Sequence, residues 1–100
     1  MNMKYIRVSW KHENLDTPIL LYSELDGDRW EIRKVEVFRD GTLGYADRST
    51  SKGDTFLGLE PIPPLAQIGL DPQFGPEEIT KDEFDEIWLR AIDLAGSKTA

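Results

Sequence analysis

The chain has 100 residues, of which 39% are hydrophobic, and its three Trp, four Phe and three Tyr provide bulky material for one small core but not for two. It has no Cys, which excludes disulfides, thiolate metal sites and a Cys nucleophile. It begins directly in an alternating pattern, and no window reaches the roughly 18 apolar residues of a membrane span, so the sequence predicts a soluble, cytoplasmic protein.

The formal net charge of −7 is unevenly distributed. Residues 60–96 contain nine acids and two bases, whereas residues 1–59 contain ten acids and nine bases. Acids concentrated in one part of the chain create a negative electrostatic field on one side of the protein, which favours a basic partner and repels nucleic acid or an anionic membrane.

The first half of the chain predicts an antiparallel meander. Apolar and polar residues alternate from Met3 to Trp10, the period of a half-buried strand. Residues 19–22 are apolar on both faces, as in a covered strand, and Asp26-Gly27-Asp28 then supplies turn residues. We therefore predict strands over residues 3–10, 18–25, 29–39 and 42–47.

The third predicted strand contains a change of phase. Trp30 and Ile32 share one parity, whereas Val35 and Val37 have the other. Either the strand is apolar on different faces at its two ends, or a β-bulge near positions 33 and 34 restores one face to the core. The pattern favours the bulge.

A tight turn follows this strand. Asp40-Gly41 is typical of a two-residue type I′ hairpin loop. Such a loop would place Phe38 opposite Leu43 and Glu36 opposite Tyr45.

The middle of the chain is rich in loop-forming residues. Residues 47–55 contain no apolar side chain, and we expect a mobile loop there. Residues 56–59 (Phe-Leu-Gly-Leu) either add a short edge strand or anchor the chain on the core. Pro before and Gly after the next apolar run predict a short helix at about 64–69. Residues 71–76 predict another Pro/Gly loop, anchored by Phe74.

The last element is an amphipathic helix over about residues 80–95. Thr80 and Glu83 have the spacing of a capping box, in which the Thr hydroxyl accepts from the backbone N–H of Glu83 and the Glu carboxylate accepts from the backbone N–H of Thr80. Apolar residues then recur at spacings of three and four, at positions 84, 87, 88, 91, 92 and 95, and Gly96 ends the pattern. The predicted fold is α+β: an antiparallel sheet of four or five strands, a short Pro-led helix and this helix packed on the sheet.

Residues with catalytic or metal-binding chemistry are sparse. His12 lies near Glu13 and Asp16, but closeness within a loop positions no nucleophile, so an exposed loop histidine is the simpler interpretation. One His and no Cys give no transition-metal spacing. Asp26, Asp28 and Glu31 could bind a hard cation, but they lack the ligand count of a calcium loop, and turn chemistry explains them more simply. Two Gly-containing stretches, 41–44 and 49–53, lack the Walker spacing. We predict no catalytic residue, no metal and no cofactor.

Basic and aromatic residues surround the hairpin. Bases interleaved with aromatic side chains can bind single-stranded nucleic acid. Acids are interleaved here too, and cross-strand charge pairs explain the pattern more simply. The bases are Arg29, Arg33, Lys34, Arg39 and Arg48, with Trp30 and Tyr45 among them.

The acids of the last third provide the candidate binding residues. Carboxylates in the first turn of a helix oppose the positive end of its dipole, which accounts for some of them without any function. The others lie in loops, and if these loops fold beside the helix they form one acidic wall. The predicted partner-binding residues are Glu60, Asp71, Glu77, Glu78, Asp82, Asp85 and Glu86.

Three stretches carry a resemblance to a known family: residues 21–41 (Leu-Tyr-Ser-Glu-Leu-Asp-Gly through Phe-Arg-Asp-Gly), residues 57–65 (Leu-Gly-Leu-Glu-Pro-Ile-Pro-Pro-Leu) and residues 79–88 (Ile-Thr-Lys-Asp-Glu-Phe-Asp-Glu-Ile-Trp). Together they resemble the small bacterial family catalogued as domain of unknown function 6881, over nearly the whole chain. The resemblance implies no activity, catalytic residue or cofactor. Similar small acidic proteins act as toxin-immunity proteins or as phage inhibitors of defence nucleases, an analogy of class only.

Two function classes follow. The first is a non-enzymatic binding or inhibitor protein, of immunity or anti-defence type, that docks its acidic surface on a basic partner such as a nuclease or another nucleic-acid-handling protein. The alternative is a small-molecule or nucleotide-binding domain that uses the sheet face and the basic hairpin. An enzyme based on His12 is the weakest hypothesis, and open sheet edges would permit a homodimer.

Overall fold

The computed structural model describes residues 2–53 and 55–97, with side chains to residue 94. The elements in chain order are β1 (Lys4–Trp10), β2 (Leu20–Leu25), β3 (Glu31–Val37), β4 (Leu43–Ala46), β5 (Ser51–Lys52), α1 (Leu65–Ile68), β6 (Phe74–Ile79) and α2 (Lys81–Ser97). One antiparallel sheet contains the strands in the order β5-β4-β3-β2-β1-β6. The predicted α+β class is confirmed, and the described sheet has six strands.

The sheet exceeds the prediction at both edges. β5 lies inside the segment expected to be a mobile loop, and Asp54 of that segment is outside the described residues. β6 lies where a Pro/Gly loop was expected, so that prediction was wrong. β6 is an edge strand, where Pro76, opposite Val8, can pair without the N–H that a central strand needs. Residues 56–59 form no strand, and Phe56 and Leu59 are exposed, so these side chains do not anchor the chain on the core; the Gly58 N–H donates to Glu31 instead.

The hairpin between β3 and β4 differs by one residue from the prediction. Phe38 N–H donates to the carbonyl of Thr42 at 2.9 Å, so three residues form the loop, and Gly41 takes a φ of 89°. This is the common three-residue hairpin that ends in a left-handed glycine. Val37 therefore lies opposite Leu43, and Val35 opposite Tyr45, instead of the predicted pairs.

One face of the sheet, which we call the front face, is covered by α2. The helix buries Phe84, Ile87, Trp88 and Ala91 in one core with residues of β1, β3 and β6 (Tyr5, Val35 and Ile79). The predicted capping box is confirmed: Glu83 N–H donates to Thr80 Oγ1, and Thr80 N–H donates to Glu83 Oε1, both at 3.1 Å. The first turn is thereby fixed over the end of β6, which sets where the apolar stripe meets the sheet.

The opposite or back face carries a second, smaller core. Side chains at alternate positions of β1 and β2 (Ile6, Val8 and Leu25) point away from α2. They pack against residues of the segment 61–73, which we call the crossing segment, and against Phe74. The fold therefore has three layers: α2, the sheet, and the crossing segment with α1.

No helix in ranges 2–53 and 55–97 combines the length and the apolar character needed to cross a bilayer.

Trp88 is the largest buried side chain by which α2 packs on the sheet. It is 8% exposed, lies 6.3 Å from the Phe84 ring and meets Tyr45 edge-on at 5.3 Å. We expect Trp88→Ala to reduce the free energy of unfolding by about 3 to 5 kcal/mol, measured from urea melts. Leu89→Ala, at a position 61% exposed on the same helix, should change it by less than about 0.5 kcal/mol. An unchanged urea midpoint for Trp88→Ala would contradict this packing.

Candidate functional site

A cavity of about 390 Å³ lies between the back face and the crossing segment. Its floor is formed by β1, β2 and β3, its roof by residues 62, 63, 67 and 68, and one end by Phe74. The walls are mostly apolar, with a few polar side chains among them. The lining residues are Ile6, Val8, Leu21, Ser23, Glu31, Lys34, Ile62, Pro63, Gln67, Ile68, Asp71 and Phe74. Largely apolar cavities of this size with a few placed polar groups are typical of ligand sites.

Arg29 holds the roof in place. Its Nε donates to the carbonyl of Ile62 at 2.7 Å and its Nη2 to that of Pro63 at 2.8 Å, while Ile62 N–H donates to the carbonyl of Arg29 at 2.8 Å. Arg29 has a φ of 68°, the only positive value at a described residue other than Gly. Such a conformation costs on the order of 1 kcal/mol and persists only where surrounding contacts impose it.

Asp26 supplies those contacts in the turn between β2 and β3. Its Oδ1 accepts hydrogen bonds from the backbone N–H groups of Asp28 and Trp30, both at 2.9 Å. Its backbone pairs with Arg29 and Trp30. The turn thus fixes the Arg29 backbone so that its guanidinium reaches the carbonyls of the roof.

The polar part of the floor is centred on Glu31, whose side chain is only 3% exposed. Its Oε2 accepts from Ser23 Oγ and its Oε1 from the N–H of Gly58, both at 2.6 Å. A β-bulge in β3 places Glu31 here, because Leu25 pairs with Glu31 while Glu24 pairs with Arg33, which leaves Ile32 as the extra residue. The favoured bulge is confirmed, one residue before the predicted position.

Lys34 and Glu36 continue this row along β3. Lys34 Nζ lies 3.8 Å from Glu31 Oε1 and 4.0 Å from Glu36 Oε2, and its side chain is 19% exposed. Glu36 Oε1 accepts from Thr55 Oγ1 at 2.7 Å. The two carboxylates therefore attach residues 55–58 to the back face, and Lys34 compensates part of their charge.

Gly44 allows this attachment. A Cβ at Gly44 would lie 2.1 Å from Thr55 Oγ1 and 3.1 Å from the carbonyl oxygen of Lys52. No side chain can occupy that space without displacing Thr55.

The front face holds a separate group of charges under α2. Arg33 binds Glu24 through two hydrogen bonds of 2.6 and 2.9 Å and Asp85 through one of 3.0 Å. Its guanidinium also lies over the rings of Phe84 and Trp88, 4.8 and 5.1 Å from their centroids. Arg33 therefore ties β2 and β3 to the helix.

These contacts shift the pKa values of both carboxyls. Burial acts to raise the pKa of Glu24, but hydrogen bonds from Arg33 and Tyr5 outweigh it and leave the pKa below its ordinary value. For Asp85, the hydrogen bond from Lys81 is the main cause that lowers the pKa, and Arg33 adds to it. No described buried side-chain nitrogen or oxygen lacks a hydrogen-bond partner.

The chain matches the family described as Domain of unknown function (DUF6881) over residues 4–93. It belongs to that family. No curated protein and no solved structure matches it. The DUF6881 match covers both faces of the sheet and thus every residue of the cavity, but the family description assigns none of them a role.

In this DUF6881 chain most of the predicted partner-binding acids are internally paired. Glu77 pairs with Arg7, Glu78 with Lys4 at 3.6 Å, Asp85 with Lys81 at 2.6 Å, and Glu86 with Arg90 at 3.8 Å. Glu60 and Asp82 are exposed, and Asp71 lines the cavity. The seven acids do not share one face: neighbouring residues Glu77 and Glu78 alternate across β6, and the others divide between α2, the crossing segment and position 60 just before it.

The bases near the hairpin are similarly dispersed. Arg33 lies on the front face and Lys34 on the back face, while Arg39 donates to the carbonyl of His12. His12 Nε2 lies 2.8 Å from the carbonyl of Pro18, and its Nδ1 accepts from Asn14 N–H at 3.0 Å, so its ring organises its own loop. The described residues contain no group of three or more His, Asp or Glu able to hold a metal.

The residues that sequence reasoning missed are those of the cavity. Asp71 was selected for its charge, but Ser23, Glu31 and Gln67 were not selected as site residues. The phase change in β3 was a signal for Glu31, because a bulge moves its side chain to the other face.

Glu24 and Asp85 give the DUF6881 fold a pH dependence. Since folding lowers both pKa values, their stabilisation is complete above the unfolded-state values and is lost as pH falls through the folded-state values. We expect the free energy of unfolding to decrease as the pH is lowered past about 4.5, the ordinary pKa of a Glu carboxyl. Urea melts at a series of pH values give the free energy of unfolding as a function of pH. This function should be less steep for Glu24→Gln than for the wild type, and as steep as the wild type for Glu13→Gln, which changes an exposed loop position. Equal slopes for the two variants would contradict the role of Glu24.

Proposed function

We propose that this protein is a cytoplasmic, non-enzymatic binding protein whose back-face cavity holds the apolar part of a small organic ligand. The observation that carries this proposal is the cavity itself, about 390 Å³ between mostly apolar walls with Ser23, Glu31, Lys34 and Gln67 among them. A site of this composition buries an apolar molecule and orients it by a few polar contacts. The absence of Cys fits a reducing compartment.

The construction of the roof supports a binding role. Arg29 adopts a strained backbone conformation, and its three hydrogen bonds hold Ile62 and Pro63 over the floor. On the other side, Glu31 and Glu36 attach residues 55–58 to the sheet. Without these contacts, the apolar residues of the crossing segment would pack directly against Ile6 and Val8 and fill the space. The polar contacts hold the segment at fixed points and so favour an open cavity.

The experiment uses N-phenyl-1-naphthylamine, a neutral apolar dye that fluoresces when removed from water. We expect saturable fluorescence with the wild-type protein. Gln67→Trp should abolish it, since this exposed lining residue can place an indole in the cavity without replacing a core side chain. Ala66→Trp, at the neighbouring exposed position that does not line the cavity, is the matched control and should retain binding.

Absence of saturable binding to the wild-type protein would overturn the proposal. So would equal loss in the two Trp variants, because that result would place the dye outside the cavity. Urea melts of both variants check that they are folded.

A second candidate function is docking on a basic protein partner, of immunity or anti-defence type, through the acidic last third of the chain. The observation that favours it is that Asp82 and Glu86 lie exposed on α2, where the pair of Glu86 with Arg90 is open to solvent. Charges of this kind speed association and make it sensitive to salt, while affinity depends on buried contacts.

Charge reversal tests this second candidate. Asp82→Lys with Glu86→Lys should abolish capture of a basic protein from the native host. Because Asp82 lies in the first turn of α2, where its charge opposes the helix dipole, and Glu86 pairs with Arg90, we expect the reversal to cost about 1 kcal/mol of stability without unfolding the protein. Glu13→Lys with Asp16→Lys changes net charge equally at exposed positions outside the acidic segment and should retain capture. Identical captured proteins for both pairs would exclude this surface.

A further inference from the structure

The charges around the cavity indicate which class of ligand it selects. Three charged side chains line it: the carboxylates of Glu31 and Asp71 and the ammonium of Lys34. Glu36 lies next to Lys34, and the Arg29 guanidinium binds the roof carbonyls without lining the space. With all five groups included, the local charge is negative.

Lys34 is not free to bind an anionic ligand. Its ammonium lies between two carboxylates, 3.8 Å from Glu31 and 4.0 Å from Glu36. An anion that approached Nζ would meet both carboxylates at close range and be repelled by them. Among the described lining residues, Lys34 is the one base, and its charge is already matched by the two carboxylates beside it on β3.

Asp71 is in the opposite situation. It is exposed at the edge of the cavity, and one of its carboxylate oxygens accepts from the N–H of Gln73 at 2.9 Å. No Lys or Arg among the described residues forms an ion pair with it, whereas four other acids of the same third of the chain are paired. A carboxylate accepts several hydrogen bonds, so Asp71 retains capacity for a cationic donor. The carbonyl oxygen of the Gln67 side chain, also in the lining, can accept a second one.

We propose that the cavity selects small apolar amines, with the hydrocarbon body between Ile6, Val8 and Ile68 and the ammonium at its edge, held by Asp71. This inference rests on the proposed function of the cavity and adds the sign of the ligand charge. A lysine in the lining of an apolar cavity would otherwise suggest a site for hydrophobic anions, and this inference predicts the opposite charge.

The test compares three probes that share a naphthalene body: the ammonium 2-(1-naphthyl)ethylamine, the neutral alcohol 2-(1-naphthyl)ethanol and the carboxylate of 1-naphthaleneacetic acid. Each is titrated into the wild-type protein with bound N-phenyl-1-naphthylamine at neutral pH and low salt, and displacement of the dye gives its affinity. We expect the ammonium to bind about threefold tighter than the alcohol, the gain typical of a solvent-exposed ion pair, and the carboxylate to bind weakest. About 1 M salt should remove the difference between ammonium and alcohol, because the pair lies at the edge of the cavity.

Two variants that each remove one negative charge locate the effect. Asp71→Asn should reduce the affinity for the ammonium to that for the alcohol and leave the alcohol unchanged. Glu60→Gln, at an exposed acid that does not line the cavity, should leave the wild-type preference intact.

The outcomes separate this inference from the function on which it rests. If the dye and the alcohol bind but the ammonium binds no tighter, or the carboxylate binds tightest, the selection of amines is wrong and the cavity function stands. If Asp71→Asn and Glu60→Gln behave alike, net charge and not Asp71 determines the preference, and the inference is again overturned. If neither the dye nor any naphthalene probe binds, the proposed function fails as well.

Discussion

The β-bulge at Ile32 is the constraint on which the two faces of this protein depend. A strand without it would place Glu31 on the same face as Arg33, under α2. The extra residue instead puts Arg33 on the front face and Glu31 on the back face. One acid can therefore bind Ser23 and Gly58 behind the sheet while the base two positions later binds Glu24 and Asp85 in front of it.

This separation explains how a chain of 100 residues covers both faces of a six-stranded sheet. The front face has a continuous apolar helix to cover it, and Arg33 joins the helix to the strands. The back face receives only residues 55–58 and the crossing segment, which has four helical residues, so apolar burial is smaller there. Polar contacts from Arg29, Glu31 and Glu36 compensate by fixing that cover at defined points. A layer attached at points and not packed throughout leaves room for a cavity.

The parts of the fold that the sequence predicted are those fixed by local interactions. The capping box of Thr80 and Glu83 and the stripe at positions 84, 87, 88 and 91 need no distant partner, and both were placed correctly. Ile92, also predicted for the stripe, is 38% exposed, and the side chain of residue 95 lies outside the described residues. β6 could not be found in this way, because Gly75 and Pro76 argue locally for a loop and only pairing with β1 makes them a strand. The hairpin was displaced by one residue since Arg39 joins Asp40-Gly41 in the loop, a choice between turn types that the pair of residues leaves open.

The candidate site was harder to predict than the fold, for a related reason. Its roof is held by Arg29, which lies 33 residues before Ile62 in the sequence. Its polar floor depends on the β-bulge in β3; the apolar pattern of that strand suggested a bulge but did not show which side chains it would move. Candidate residues chosen by composition came from the acidic last third, where sequence places the charges close together. Folding separates them: β6 sends Glu77 and Glu78 to opposite faces, and bases from β1 and α2 neutralise four of the seven. Asp71 is one of the three acids that form no ion pair with a described residue, and it alone of the seven lines the cavity, where the base among the described lining residues already lies between two other acids. In a strongly acidic chain, the informative carboxylate is therefore the one that the fold leaves without a counter-charge beside an apolar space.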